Sequence, residues 1–141
     1  MNVANAPGWA RELLEREPVG RLALVDEHDR PRVLPVTFAL VEDAIWTAID
    51  HKPKRRTEPA RVRYLRRRPE ASLVVDVYDD DWSRLRWVQV TGSVTVLDAG
   101  PDAALAALAA KYPQYERRPP AGPFIRLAIE RAVWWRADEL R

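Results

Sequence analysis

The sequence predicts a mainly β domain of the α+β class, in which about six antiparallel strands form a small barrel and three short helices accompany them. Segments rich in β-branched and aromatic residues are separated by turn signals at intervals of about 8–12 residues in the first half of the chain, as in such a barrel. Strands and helices do not alternate as in βαβ units, and no glycine-rich phosphate loop is present, which excludes Rossmann and P-loop folds. At 141 residues the chain can bury one core, so we expect a single domain over 1–141.

The first half of the chain is predicted to contain one helix, over 7–17, and three strands, over 20–26, 32–40 and 44–49. The three strands are expected to pair in sequence as a meander. Pro35 lies inside the second strand and has no N–H to donate to a neighbour. It therefore indicates a sheet edge or a bulge.

The second half is predicted to add two helices, over 60–68 and 101–112, and three strands, over 72–78, 85–97 and 124–135. In the first of these helices, Val62 and Leu65 are expected to face the core. Gly92 interrupts the alternation of the longest strand and predicts a bend or bulge there. Residues 116–123 are rich in proline and arginine and are expected to form a loop.

Composition limits the classes of function. Hydrophobic residues make up 47% and charged residues 31%, as in soluble globular proteins, and no apolar run approaches the roughly 20 residues of a membrane span. The absence of cysteine excludes disulfides and thiolate metal sites, and with two histidines we expect no metal centre. Because no signal-peptide pattern opens the sequence, a cytoplasmic location is expected.

Positive charge is concentrated after the strand at 44–49. A loop with four cations (Lys52, Lys54, Arg55 and Arg56) follows it, and nine Lys or Arg residues stand against one acid between 51 and 68. Several cations at one strand end can neutralise a phosphate and further carboxylates, so the loop is predicted to bind an anion. A solvated charge run is the alternative. The later arginines are expected to lie on the surface of the helix: Arg61, Arg63, Arg66, Arg67 and Arg68.

Two interpretations stay open for the strands beside this loop. Residues 33–37 either present backbone groups to a planar ring or form an ordinary, slightly irregular core strand. Thr47 either bonds a ligand through its hydroxyl or packs in the core. The run 79–81 of three aspartates is better explained as a turn than as a magnesium site, because consecutive side chains point in different directions.

No catalytic residue is predicted. Cysteine is absent, and neither His28 nor His51 has a serine and an acid nearby in a recognisable triad context. Any chemistry is therefore expected to come from a bound cofactor, which the protein positions.

Several segments together resemble one family. They are Gly20-Arg-Leu-Ala, Arg32-Val-Leu-Pro-Val, Trp46-Thr-Ala-Ile-Asp-His-Lys-Pro-Lys and Asp76-Val-Tyr-Asp-Asp-Asp-Trp-Ser-Arg-Leu-Arg-Trp-Val with Gly92, and more weakly Trp134-Trp-Arg. In this order they are similar to the pyridoxamine 5′-phosphate oxidase-like split β-barrel superfamily, and most of all to its members that use the deazaflavin coenzyme F420.

The resemblance implies a six-stranded split β-barrel of the FMN-binding type and a homodimer with two cofactor sites at the subunit interface. It places one strand segment (Leu34, Pro35 and Val36) along the cofactor ring. It assigns the phosphate-bearing tail to the next strand (Thr47 and Ala48) and to the basic loop (Lys52, Lys54, Arg55 and Arg56). Trp82 or Trp87 of the partner subunit would close the site.

The sequence departs from the family pattern at three places. Members often carry an asparagine in the helix after the basic loop, where this chain has Ala60-Arg-Val-Arg. Gln89 stands where a cation is common. The Arg-x-His substrate motif of the true pyridoxamine phosphate oxidases is missing from 124–130, which argues against that substrate.

Four functional hypotheses follow. The first is an oxidoreductase that moves hydride between F420 and an unidentified small organic molecule, and the second is an FMN-binding oxidoreductase of the same fold. Four cations exceed what the single phosphate of FMN needs, which favours the polyanionic F420. A non-catalytic cofactor-binding protein is the third. A nucleic-acid-binding module is the fourth and is disfavoured, because Tyr64 is the single aromatic in the basic block. No membrane partner is expected, and the apolar strands and six tryptophans favour a homodimer.

Overall fold

The computed structural model describes residues 3–49 and 58–137, and seven antiparallel strands form one sheet in these ranges. The strands are β1 (Gly20–Val25), β2 (Pro31–Val36), β3 (Ala39–Val41), β4 (Ala44–Ala48), β5 (Glu70–Val77), β6 (Arg86–Leu97) and β7 (Phe124–Arg136), in the spatial order β2-β1-β5-β6-β7-β4-β3. The helices are α1 (Gly8–Arg16), α2 (Ala60–Arg67), α3 (Asp102–Lys111) and α4 (Pro113–Arg117), with 3₁₀ turns at Val3–Asn5 and Trp82–Arg84.

The strand predicted over 32–40 is two strands, which makes seven strands instead of six. β2 ends at Val36 and pairs with β1, whereas β3 begins at Ala39 and pairs with β4 near the other end of the sheet. Between them, the backbone of Phe38 bonds to the Tyr112 hydroxyl instead of to a strand. The predicted meander is therefore wrong. The position of Pro35 on an edge strand is confirmed, since β2 is the first strand of the sheet.

The long strands β5, β6 and β7 form the centre of the sheet. Val88, Val90 and Val94 of β6 are buried, and the pairing of β6 with β7 shifts its register between Thr91 and Gly92. A Cβ at position 92 would overlap the carbonyl oxygen of Ala128, so only glycine permits this close approach. The predicted irregularity at Gly92 is confirmed.

Two helices cover the apolar face of the sheet. Leu14 of α1, and Val62 and Leu65 of α2, are all 0% exposed and belong to the main core cluster. The predicted inward face of α2 is confirmed. A second cluster joins α3 and α4 to β4 and β7 through Trp46, Leu108 and Phe124. The residues from 113 to 117, expected to be irregular in part, form α4.

Across 3–49 and 58–137, no helix is both long and apolar enough to cross a membrane.

Candidate functional site

A cleft of about 260 Å³ lies where the ends of β2 and β4 meet the first turn of α2. Its lining residues are Val19, Pro35, Val36, Thr37, Thr47, Ala48 and Arg61. β2 stands at one end of the strand order and β4 next to the other end, so the sheet curls far enough to bring the two together. Four of the residues predicted to contact the cofactor therefore share one cavity: Pro35, Val36, Thr47 and Ala48.

Threonine hydroxyls connect the two strands in the wall of the cleft. The Thr47 Oγ1 donates a hydrogen bond of 2.7 Å to the carbonyl oxygen of Thr37. Thr47 is 4% exposed, so little water competes for this bond. The side chain of Thr37 in turn lies 2.8 Å, oxygen to oxygen, from the hydroxyl of Tyr115 in α4. The wall is thus fixed by a hydroxyl network that reaches outside the sheet.

Tyr112 holds the next residue of the same segment. Its hydroxyl accepts a hydrogen bond of 2.9 Å from the backbone N–H of Phe38, and lies 3.0 Å from the Phe38 carbonyl and 2.9 Å from the Pro18 carbonyl. The single hydroxyl proton of Tyr112 can be donated to either of these two carbonyl oxygens. Burial raises the pKa of the Tyr112 phenol, so it remains protonated at neutral pH. The segment between β2 and β3 is therefore positioned by α3 and α4 rather than by strand pairing.

Arg61 is the cationic member of the lining among the described residues, and the sequence prediction that it lies on the plain helix surface is wrong. It sits in the first turn of α2, half-buried, beside the inward-facing Val62. The prediction is confirmed for the other arginines of 61–68, since Arg63, Arg66, Arg67 and Arg68 are exposed. The signal that could have identified Arg61 is its position in the sequence, because α2 begins soon after the four-cation segment.

Surface ion pairs hold the rest of α2. Arg66 contacts the carboxylate of Glu58 at 2.9 Å, and Arg67 and Arg68 contact Asp29 at 3.1 and 3.3 Å. The hydrogen bond from Arg67, and then its charge, lower the pKa of the Asp29 carboxyl. Because these arginines are occupied with acids, they form no continuous basic surface.

Three other predicted site residues that the structure describes do not line the cleft. Leu34 packs against the core. Trp82 is 69% exposed on its 3₁₀ turn, while Trp87 lies in a separate open groove of about 550 Å³ with Arg21, Val74, Asp76 and Gln89. The resemblance assigns Trp82 or Trp87 to a partner's site, which stays a prediction. Lys52, Lys54, Arg55 and Arg56 lie outside the described residues, as does His51.

The chemistry of the lining suits binding rather than acid–base catalysis. The described lining residues combine apolar surface, two hydroxyls and one guanidinium, and include no Asp, Glu, His or Cys. In the part of the chain that the structure describes, no three His, Asp or Glu side chains cluster as metal ligands. β4 ends at the cleft with Ala48, and the four cations follow in the sequence, outside the described residues. The arrangement can hold a planar group and an attached anion.

Solved structures share this fold at low sequence identity. An FAD-binding protein from Mesorhizobium loti is 20% identical with a TM-score of 0.63, over 92% of this chain and 93% of that one. A heme-binding protein from Mycobacterium smegmatis is 21% identical with a TM-score of 0.69, over 92% and 55%. A protein named F420 reductase is 22% identical with a TM-score of 0.64, over 91% and 98%. At these identities the likeness shows a common fold.

The sequence itself carries the family assignment. No curated protein sequence matches this chain significantly. The family model described as pyridoxamine 5′-phosphate oxidase matches residues 8–136, a range that contains all seven strands and every residue of the cleft. The chain therefore belongs to the pyridoxamine 5′-phosphate oxidase family.

Proposed function

We propose that this protein is an oxidoreductase that binds coenzyme F420 in the cleft between β2 and β4 and transfers hydride to or from a small organic substrate. The observation that carries the proposal is an apolar cleft at the end of β4, the strand after which the cationic segment follows in the sequence. Pro35 and Val36 provide the apolar wall, and Arg61 the adjacent cation. The loop with four further cations begins two residues beyond Ala48.

The charge of these segments suits a polyanion. F420 carries a phosphodiester and a chain of glutamates, whereas FMN carries one phosphate. Arg61 lines the cleft, and the sequence between β4 and α2 holds four more cations: Lys52, Lys54, Arg55 and Arg56. Arginine binds phosphate and carboxylate oxygens through paired hydrogen bonds, so such a cluster can engage several anionic groups at once.

A bound deazaflavin would supply the hydride chemistry, and this chain's residues would position it. Pro35 and Val36 exclude water from one face of a planar ring. Thr37 and Thr47 are held rigidly by their own hydrogen bonds, so they offer pre-oriented oxygens to a ligand. Arg61 and the basic loop would bind the tail. Among the described lining residues, no side chain is placed to take up or deliver a proton, so other groups would orient the substrate.

A second copy of the chain is proposed to complete the site. The groove beside Trp87 lies on the face of β1, β5 and β6 that the main core does not cover. Trp82 and Tyr78, each 69% exposed, stand at the end of the same strands. A homodimer would cover these aromatic side chains, which are enriched at protein interfaces. Light scattering at micromolar concentration should give the mass of a dimer, and a monomer would contradict this part of the proposal.

FMN is the main alternative cofactor, because it needs the same apolar wall and a single phosphate site. Heme is disfavoured by the residues available as iron ligands. The chain has no cysteine and two histidines, of which His28 is on the turn between β1 and β2 with 74% of its side chain exposed. An absorbance spectrum of the purified protein separates these cases, since a bound flavin, a bound heme and a bound deazaflavin have different visible spectra.

The proposal is tested by titrating the protein with F420 and with FMN side by side. Loss of one charge-assisted hydrogen bond corresponds to about 1.5–3 kcal/mol, or about 10- to 100-fold in affinity. Lys54→Ala, Arg55→Ala and Arg61→Ala should each weaken F420 binding by such a factor. Arg63→Ala is the matched control, because Arg63 is exposed on the same helix two residues from Arg61.

Two results would overturn the assignment. If FMN binds more tightly than F420, the cofactor is a flavin. If Arg61→Ala and Arg63→Ala have the same small effect, the cleft is not the binding site. A bound cofactor without turnover of any organic substrate would favour a carrier over an enzyme.

A further inference from the structure

A second cleft, of about 240 Å³, lies between α1 and α3 on the other side of the segment that contains Phe38. Its lining residues are Glu15, Ala39, Leu40, Ala107, Ala110 and Lys111. Lys111 is the last residue of α3, and the chain has two other lysines, Lys52 and Lys54. An amine thus forms part of a cleft whose other walls are mostly alanine and leucine.

The Lys111 ammonium is contacted by aromatic rings and one carbonyl, with no carboxylate within ion-pair distance in the described residues. Its Nζ lies 3.5 Å from the centroid of the Phe38 ring and 5.5 Å from that of Tyr112, and donates one long hydrogen bond of 3.4 Å to the Leu14 carbonyl. Within residues 3–49 and 58–137 no carboxylate forms an ion pair with it. Glu15, which shares the cleft, pairs with Arg11 at 3.2 Å. Neutral groups therefore provide the contacts of this amine.

Burial favours the neutral amine. It lowers the pKa of Lys111 to about 8, with Glu17 opposing the shift. At about pH 7.5 roughly a quarter of such an amine is neutral, against about one part in a thousand for an ordinary lysine with a pKa near 10.4. The neutral form carries the lone pair that acts as a nucleophile.

We propose that Lys111 is an acylation site, at which small activated acyl donors such as acyl phosphates or thioesters transfer their acyl group to Nζ. The lone pair of the neutral amine attacks the acyl carbonyl carbon and forms the C–N bond. The bond from that carbon to the phosphate oxygen or thiol sulfur breaks, and the leaving group departs with the electron pair. The nitrogen releases one proton to solvent. The cleft walls formed by Ala39, Ala107 and Ala110 leave room for a short acyl chain.

Acylation of Lys111 would also affect the cofactor cleft. The resulting amide keeps one N–H for the Leu14 carbonyl but loses the positive charge over the Phe38 ring. Phe38 adjoins Thr37, which lines the cofactor cleft. The reactivity of Lys111 does not depend on which cofactor that cleft binds. The acylation proposal can therefore fail while the proposed function holds, and the proposed function can fail while the acylation proposal holds.

The test is the reaction of the full-length protein with acetyl phosphate at about pH 7.5, with acetylation of each lysine followed by mass spectrometry. Lys111 should be acetylated at least about tenfold faster in the folded protein than in urea, where its pKa returns to the ordinary value. The rate at Lys111 should rise with pH around 8. The titratable groups that face it are Glu15 and Glu17 from the α1 side and Tyr112 beside it.

A pair of substitutions on α3 tests the role of the cleft. Ala107→Leu fills the cleft and should slow acetylation of Lys111 severalfold, while Ala106→Leu, at an exposed position outside it, should not. Both variants are expected to fold, which unchanged denaturation would verify. The proposal is overturned if folded Lys111 reacts no faster than in urea, or if both variants react like the wild type.

Discussion

Two helical units support the same cleft by different means. On one side, α3 and α4 hold Thr37 and Phe38 through the buried hydroxyls of Tyr112 and Tyr115. On the other, α2 presents Arg61 by burying Val62 and Leu65, while its exposed arginines form surface ion pairs. Buried hydrogen bonds are costly to break, whereas exposed ion pairs contribute little to stability. The tyrosine side should therefore determine the shape of the cleft, and the arginine side its charge.

The largest effect is expected from Tyr112→Phe. The substitution leaves the Phe38 N–H without its partner in a site that is 0% exposed. An unsatisfied buried donor costs about 1–3 kcal/mol, and the Pro18 and Phe38 carbonyls also lose their donor, so unfolding in urea should show a loss of about 2–3 kcal/mol. Tyr64→Phe is the control. That half-buried tyrosine of α2 makes no side-chain hydrogen bond to any residue in the described ranges. Equal stability of the Tyr112→Phe and Tyr64→Phe variants would contradict the view that the tyrosine side fixes the shape of the cleft.

Lys111, beside the tyrosines, should make stability depend on pH. Its pKa is about 8 in the folded chain and near 10.5 when unfolded, so the unfolded state retains the proton as pH rises between these values. Stability should therefore increase over this window relative to Lys111→Met, and the difference should be constant below about pH 7. The Lys111 amine is partly exposed, and the Phe38 ring attracts its ammonium form. Both effects limit the increase in the free energy of unfolding to about 1–2 kcal/mol. Urea unfolding of both proteins from about pH 7 to 10.5 measures it, and parallel curves would disprove it.

The same contrast explains what the sequence could predict. Local sequence patterns identified the residues whose roles lie within one helix or one strand pair: Val62, Leu65, Gly92 and Pro35. The break at Thr37 and Phe38 was missed because 32–40 reads as one apolar strand, while the hydroxyl that interrupts it lies 74 residues further along the chain. Pro35, Val36, Thr47 and Ala48 were placed near a ligand by resemblance to a family. Thr37 already belonged to the segment 33–37 considered for ring contact, whereas Val19 and Arg61 join the cleft only when the sheet curls, which no local pattern encodes.

Tyr115→Phe is expected to have a smaller effect, concentrated on the cleft. It removes the bond to the Thr37 side chain, with a loss of stability of about 1 kcal/mol. Because Thr37 lines the cleft, ligand affinity should fall as well. A double-mutant cycle with Thr37→Val isolates this contact: the coupling free energy should be about 0.5–1.5 kcal/mol in both unfolding and F420 titration. Coupling in unfolding alone would show that the bond supports the fold without positioning the ligand.

Arg67→Ala, in α2 on the arginine side of the cleft, should have the smallest effect. Arg67 contacts Asp29 and the Asp26 carbonyl, but nearly half of its side chain is exposed. Since exposed ion pairs are screened by water and salt, the melting temperature should fall by less than about 2 °C, and less again in about 0.5 M salt. F420 affinity should not change, because Arg67 lies outside the cleft lining. A fall in melting temperature as large as that of Tyr112→Phe would mean that α2 fixes the geometry of the cleft as firmly as α3 and α4 do.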